Sequence, residues 1–343
     1  MRRSAAIVIA TLLAGCSSAV HPQLVHVQAG RPAATDHAVG NASDFRVVSA
    51  SRVGAGVVVM VASAAAAYHL YRSTDDARTW SRITDPPGDL SQAEVAFADA
   101  DRGWLLRRAV TSGRAVLFAT TDGGTRWTRT TIRGGTAVAA VNGYGYLLSR
   151  GELYVQGPLD GRFAPFERTS ADTLVLSDGT VLAYRSIPRL GRAARLDVFH
   201  GTGMSSALLP CGTTWSQAVA VRPGEFVAVC GSEPGAGNQA KTGYVSADGR
   251  SWRRTRAPDG AGYVETATAS GARAFVAGSR MAAVWTSVDG ASWRGMIVLP
   301  SEGFWTLGFV DGVHGWAADG GPPSALYVTD DGGLSWHLAA RPG

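Results

Sequence analysis

Lysine is almost missing from this chain of 343 residues: of its 32 basic side chains, only Lys241 is a lysine. Cysteine is scarce as well, at three, and the seven histidines are dispersed. No His-x-His, Cys-x-x-Cys or His-Glu-x-x-His spacing occurs, so no metal site and no cofactor is expected. The one long apolar run, Ala5 to Ala14, has ten residues. A helix of that length is too short to cross a hydrocarbon core of ~30 Å, and no other stretch is long enough. Charge of one sign is not massed either: 27 acidic residues leave a net charge of +5. The arginines are spread out, with mild groups at Arg126, Arg129 and Arg133 and at Arg250, Arg253, Arg254 and Arg256. Without a concentrated basic face or a recognisable module, nucleic acid is not expected as a partner. Those groups read as the solvated outer strands of a sheet structure.

Glycine, by contrast, is abundant. Its 43 copies are about 12.5% of the chain, against a usual ~7%. They lie beside short runs rich in Val, Ala, Phe, Tyr and Trp, the composition of many short strands joined by tight turns. A hydrophobic fraction of 45% with ten tryptophans suffices for a buried core.

The amino terminus has its own pattern. Met1-Arg2-Arg3-Ser4 is a short basic segment, Ala5–Ala14 has the length of a signal-peptide core, and Leu13-Ala14-Gly15-Cys16 follows. This segment resembles the lipobox of bacterial lipoproteins. The resemblance implies that residues 1–15 are removed, that Cys16 is acylated, and that the protein is held on the outer side of the cell membrane. Two or three acyl chains anchor a protein stably where one does not. Without Arg2 and Arg3 the net charge falls from +5 to +3. Residues 16–43, rich in Ser, Ala, His, Pro, Gln and Gly, read as the lipidated cysteine and a flexible tether. In an oxidising compartment Cys211 and Cys230 can pair. They flank a hairpin that turns at Arg222-Pro223-Gly224, whose symmetric register sets Cys230 opposite Gln217. A bridge therefore requires the segment before the hairpin to fold back; two buried free thiols are the alternative.

Beyond the tether one phrase recurs. It reads Ser73-Thr-Asp75-Asp-Ala-Arg-Thr-Trp80, Thr120-Thr-Asp122-Gly-Gly-Thr-Arg-Trp127 and Thr329-Asp-Asp331-Gly-Gly-Leu-Ser-Trp336. Two shorter copies are Ser246-Ala-Asp248-Gly-Arg-Ser-Trp252 and Ser287-Val-Asp289-Gly-Ala-Ser-Trp293. Aspartate accepts bonds from the backbone of the turn that follows it, the hydroxyl two residues earlier adds another, and glycine supplies positive φ. Tryptophan on the returning strand seals the turn against a neighbour. These are structural residues rather than catalytic ones. The aspartates are spaced by 47, 126, 41 and 42 residues, and 126 is three times 42. Two further units with eroded turns are therefore expected near residues 160 and 205, giving seven. Residues 44–343 divided by seven give about 43 per unit, with turns throughout and no convincing helix. The alanine run at 64–67 is taken as a hairpin turn.

That period reads as four antiparallel strands per unit: an all-β, seven-bladed β-propeller over 44–343. Six or eight blades fit the spacing less well. The blades fall at about 44–86, 90–133, 135–168, 171–209, 214–257, 263–300 and 303–343. Each is continuous in sequence, so closure must come from blade 7 packing on blade 1.

The repeated phrases match the Asp-box (BNR) repeat of the sialidase-like propeller superfamily. Phe97-Ala-Asp-Ala-Asp-Arg-Gly-Trp104 and Phe309-Val-Asp-Gly-Val-His-Gly-Trp316, each ahead of a box, resemble the repeat of photosystem II assembly and stability factor-like propellers. That likeness implies seven blades and a protein partner, and makes a monomeric, non-catalytic binding or assembly platform in the cell envelope the leading expectation. The alternatives are a sialidase-like exo-glycosidase and a non-catalytic binder of cell-wall glycan. Sialidases use arginines to clamp a carboxylate and a tyrosine nucleophile. Their early Phe/Tyr-Arg-Ile-Pro phrase is missing here; the nearest string, Tyr184-Arg-Ser-Ile-Pro188, lies mid-chain with an inserted residue. Tyr263-Val-Glu265 and Glu152-Leu-Tyr154 are the candidate Tyr/Glu pairs. No residue is designated catalytic.

Overall fold

Strands such as Val57–Ala64, reading VVVMVASA, are apolar at nearly every position rather than at alternate ones. A strand of that kind must be covered on both faces. The computed structural model shows how. It describes residues 45–342 apart from 65–66, 109–113, 160, 186–193, 213, 236–237, 260–261, 280–282, 299–303 and 320–323. The chain forms seven four-stranded antiparallel sheets, each with its strands in sequence order, arranged as a seven-bladed β-propeller. Residues 1–44, with Cys16, the leader and the tether, lie outside the described residues, as does Asp160.

The first strand of each blade is innermost: Arg46–Val53, Ala93–Phe97, Gly135–Val141, Thr173–Ser177, Ser216–Arg222, Tyr263–Ser270 and Phe304–Phe309. Alternate residues of one strand feed two different interfaces. In blade 1, Val59 and Val61 join Leu90, Val95, Phe97 and Phe118 of blade 2. Their neighbours Val58 and Met60 join Trp316, Leu326 and Val328 of blade 7. The core is thus divided into slabs between blades, and every sheet is a wall shared by two of them.

The two units with eroded turns fold as complete blades. In blade 3, Glu152–Gln156 pairs with Ala164–Arg168. In blade 4, Ala194–His200 and Gly203–Leu209 are joined by a tight two-residue turn, His200 facing Gly203. In the alanine run Ala64 pairs with Ala67, so the strand reverses there. In blade 5 Gln217 faces Cys230. The connector ahead of this hairpin folds back, with Thr214 N–H donating to the Cys211 carbonyl and Trp215 N–H to that of Gly231. Cys211 and Cys230 are joined as a disulfide, their Cα atoms 5.4 Å apart.

Among the described residues blade 7 contributes no strand to blade 1, and the two meet through packing and a few bonds. Trp80 Nε1 donates to the Ala340 carbonyl at 2.7 Å, Ala340 N–H to that of Ala77, and Ser324 N–H to that of Phe45. At the centre of the seam lies Arg52, whose side chain is fully buried. Its Nη1 donates to the carbonyls of Gly315 (3.1 Å) and Thr329 (2.6 Å) in blade 7. Its Nη2 pairs with Asp76 Oδ1 at 2.6 Å, and Nε donates to the Gly54 carbonyl. Other arginines bridge blades in the same way. Arg72 donates to the Gly123 carbonyl, Arg102 to those of Gly143, Gly157 and Pro158, and Arg222 to those of Ala272 and Val288. One planar guanidinium with five donors can satisfy several carbonyls at once, which an ammonium cannot do in the same geometry.

Replacing Arg52 with Met should therefore cost about 3–5 kcal/mol, because it leaves Asp76 without its cation and two buried carbonyls without their donor. Arg52→Lys should recover less than half of that loss. Urea unfolding of the three proteins measures it, and a loss below about 1 kcal/mol for Arg52→Met would rule out this account of closure.

Candidate functional site

The inner strands all run in one direction, so the two ends of the propeller have different chemistry. At one end, the turn face, lie each blade's first and third hairpins, five of the latter being aspartate turns. At the other, the connector face, lie each blade's second hairpin and the connectors between blades.

All five complete aspartate turns sit on the turn face, and their polar atoms are occupied internally. In the first, Asp75 Oδ1 accepts from Thr79 N–H (2.9 Å) and the Ser73 hydroxyl (2.8 Å), and Oδ2 from the Thr79 hydroxyl (2.7 Å). Ser73 Oγ in turn accepts from Ala77 N–H. Asp122, Asp248, Asp289 and Asp331 repeat the pattern with Thr120, Ser246, Ser287 and Thr329. The first turn differs in one respect: Asp76 and Ala77 take positive φ where the second and fifth use glycine pairs. Asp76 is retained because Oδ1 also accepts from Gly56 N–H and holds Arg52.

The tryptophans reach further than the turn they follow. Trp80, Trp127, Trp252 and Trp293 each donate Nε1 to a carbonyl at the outer end of the preceding blade: Ala340, Thr84, Leu208 and Arg256. Trp336 packs edge-on against Phe275 and Phe309; its buried Nε1 has no partner among the described residues. The second phrase, in blades 2 and 7, is another self-capped turn. Asp99 accepts from the N–H groups of Asp101 and Arg102, and Asp311 from those of Val313 and His314. Arg126, Arg129, Arg133, Arg250, Arg253, Arg254 and Arg256 are exposed.

The first hairpin of blade 4 spans the axis at the turn face. Asn142 of blade 3 donates to the Gly179 carbonyl, and the Ser177 hydroxyl to that of Val221 in blade 5. Asp178 N–H donates to the Ala269 carbonyl of blade 6. On the opposite, connector face, clefts of about 470 Å³ beside Lys241 and about 440 Å³ beside Tyr68 and Asp89 lie among the described residues. Glu94, on the innermost strand of blade 2, is near the connector end. Surrounding protein pushes its carboxyl up to about 7, against the pull of Arg108 and the Val138 N–H, although 26% of its side chain remains accessible. No sequence signal marks Glu94, because its environment is built by neighbours distant in the chain.

The two Tyr/Glu pairs are not brought together. Glu152 and Tyr154 lie on the third strand of blade 3, two strands from the axis, with the tyrosine hydroxyl donating to Glu152 Oε2 at 2.7 Å. That bond, then burial, raises the tyrosine pKa, which opposes a nucleophilic role. Glu265 is exposed at a bulge of the innermost strand of blade 6, beside half-buried Tyr263. Burial raises the pKa of Tyr184; the rest of its string, from residue 186, lies outside the described residues.

No family model matches the chain, and no curated protein matches it. Solved structures do. The GH74 xyloglucanase from Xanthomonas campestris superposes with a TM-score of 0.61 at 14% identity, over 89% of this chain and 55% of the xyloglucanase. The β-propeller domain of the Trilobed protease from Pyrococcus furiosus gives 0.59 at 8% identity, over 88% of this chain and 97% of that domain. YCF48 bound to D1 peptide gives 0.40 at 16% identity, over 87% and 82%. The first two likenesses show the fold, a β-propeller. The chain spans only about half the length of the xyloglucanase, whose activity does not transfer with the fold.

Two outcomes follow from the turns. The hydrogen bonds from Thr79 N–H, the Thr79 hydroxyl and the Ser73 hydroxyl hold Asp75 at about 2; Asp122, Asp248 and Asp289 are lowered chiefly by N–H groups of Arg126, Ser251 and Ser292. A carboxyl lowered on folding stabilises the fold above its unfolded value of ~3.9, and that stability is lost as pH falls through the folded value. Urea midpoints should therefore drop steeply between about pH 4 and 2, and Asp248→Asn should flatten the drop; an unchanged slope would contradict it. Gly333 has φ +76°, and an added Cβ would lie 2.6 Å from Phe275. Gly333→Ala should cost about 2–5 kcal/mol, from the left-handed conformation and overpacking together. Gly54→Ala, at φ +48° in open space, should cost about 1–2 kcal/mol. Equal losses in thermal unfolding would show that crowding at Gly333 is relieved without cost.

Proposed function

We propose that this protein is a membrane-anchored, extracytoplasmic propeller that serves as a non-catalytic platform for binding another protein in the cell envelope. The observation that carries this reading is the way the repeated side chains are spent. The Ser/Thr, Asp and Trp groups of the turn face are committed to capping turns and joining blades, and the blade 4 hairpin bridges the axis there. The connector face is left with the connectors between blades and with the clefts beside Lys241 and Tyr68. That end is the surface on which a partner docks. Cys16 supplies the anchor in this proposal, and the lipobox-like Leu13-Ala14-Gly15-Cys16 supports it.

A second reading, a glycosidase, draws on Glu94. A carboxyl that stays partly protonated near neutral pH is what a general acid needs. A screen of fluorogenic sialosides and other glycosides decides between them: turnover lost in Glu94→Gln would displace the platform reading.

Affinity purification of the lipidated protein from solubilised membranes should recover a partner in near-stoichiometric amount. Eluates holding only background proteins would count against the platform. Cys16→Ser should abolish metabolic labelling by palmitate and move the protein out of the membrane fraction; unchanged membrane association would remove the anchor from the proposal.

A further inference from the structure

The cleft beside Lys241 carries more chemistry than its partner on the same face. It lies between the start of the third strand of blade 5, Lys241–Ser246, and the stretch from Arg254 to Asp259 that leads into blade 6. Three cations, Lys241, Arg254 and Arg256, line it against a single carboxylate, Asp259. Burial lowers the Lys241 pKa, and Asp259 acts in the opposite sense. An anion in the cleft would offset the solvation that this ammonium has lost.

The walls are held in place. Thr255 Oγ1 donates to the Gly290 carbonyl at 2.8 Å, and the Arg256 carbonyl accepts from Trp293 Nε1 at 3.1 Å, both from blade 6. On the other side Gln239, 3% exposed, accepts from Ser216 Oγ and Val264 N–H and donates to the Ser232 carbonyl. The backbone that presents the cations is therefore fixed, while Arg254 and Arg256 remain exposed.

We propose that this cleft binds an extended acidic peptide segment of the partner, reading carboxylates on alternate residues. The inference rests on the platform reading and gives that partner a chemistry. Its basis is spacing as well as charge. Arg254 lies in the last strand of blade 5, Arg253–Thr255, and Arg256 directly follows its end; residues two apart along extended backbone repeat at ~6.7 Å. Alternate side chains of an extended ligand peptide have the same repeat, so a Glu-x-Glu pair can meet the two guanidinium groups in register, each by paired N–H donors. Lys241, on the neighbouring strand with its Nζ donating to the Gln239 carbonyl at 3.3 Å, adds a third cation to the same cleft.

Lys241 also makes the test specific, since it is the chain's only ε-amine. The detergent-solubilised full chain is mixed with a fluorescent ten-residue peptide of alternating Glu and Ser, its amino terminus blocked, and with a Gln/Ser control. Anisotropy should show binding of the Glu peptide alone, weakening as salt rises. Arg254→Gln and Lys241→Gln should each weaken it about tenfold, the effect of losing one charged hydrogen bond, and Asp259→Asn should strengthen it. Carbodiimide should link a peptide carboxylate to Lys241 as an amide, located by mass spectrometry. Thermal unfolding checks that the variants fold; Arg254 is exposed, so that variant serves even if Lys241→Gln does not fold. Equal binding of the two peptides, or no loss in the variants, overturns the proposal. Binding of inorganic phosphate or phosphatidylglycerol vesicles through Lys241, with the Glu peptide failing to bind, overturns it too. Capture of an undiminished partner by Lys241→Gln would remove the cleft while leaving the platform standing; no partner for either protein removes the platform itself.

Discussion

Each blade of this ring has two apolar faces, and the pair that closes the ring is the one between blades 7 and 1. Among the described residues no strand is exchanged across that seam, so its strength depends on side chains and on a few backbone bonds. Arg52 supplies four donor contacts from one fully buried group, two of them to carbonyls of blade 7. The positive φ of Asp76, the retention of an acid where other turns carry glycine, and the docking of Trp80 on Ala340 all gather around this group.

The same economy separates the two ends of the molecule. On the turn face the polar groups are already paired with one another, and the indoles of four turns are bonded to the blade before. Such groups have little left to offer a ligand. On the connector face the chain is less repetitive, and its charged groups meet in combinations that the repeat does not dictate: Glu94 with Arg108, and Lys241 with Arg254, Arg256 and Asp259. A fold does not fix function, which resides in the particular groups that a fold carries.

Much of the architecture was legible because the aspartate turn is local. Ser73 and Asp75 bond within five residues of themselves, so their spacing can be read along the chain without knowing what lies across it. The register of the blade 5 hairpin was legible for the same reason, since the turn at Arg222-Pro223-Gly224 fixes Gln217 opposite Cys230. The arginines were not. Arg52 and Arg222 look no different in sequence from exposed Arg126 or Arg250, yet the first two join blades and the others face water.

By itself, then, the sequence determined the strands, the turns, their period and the number of blades, because backbone hydrogen bonding and alternation act over a few residues. It also supplied the lipobox-like start, which is a local signal of the same kind. Only the tertiary structure decided which groups face one another over distances of 37 to 277 residues: Trp293 on Arg256, Arg52 on Thr329, and Asp178 of blade 4's hairpin on Ala269 of blade 6. It likewise decided that Glu94 is desolvated and that one lysine shares a cleft with two arginines. Desolvation and charge depend on everything within several ångströms, and a linear pattern does not record what ring closure brings that near.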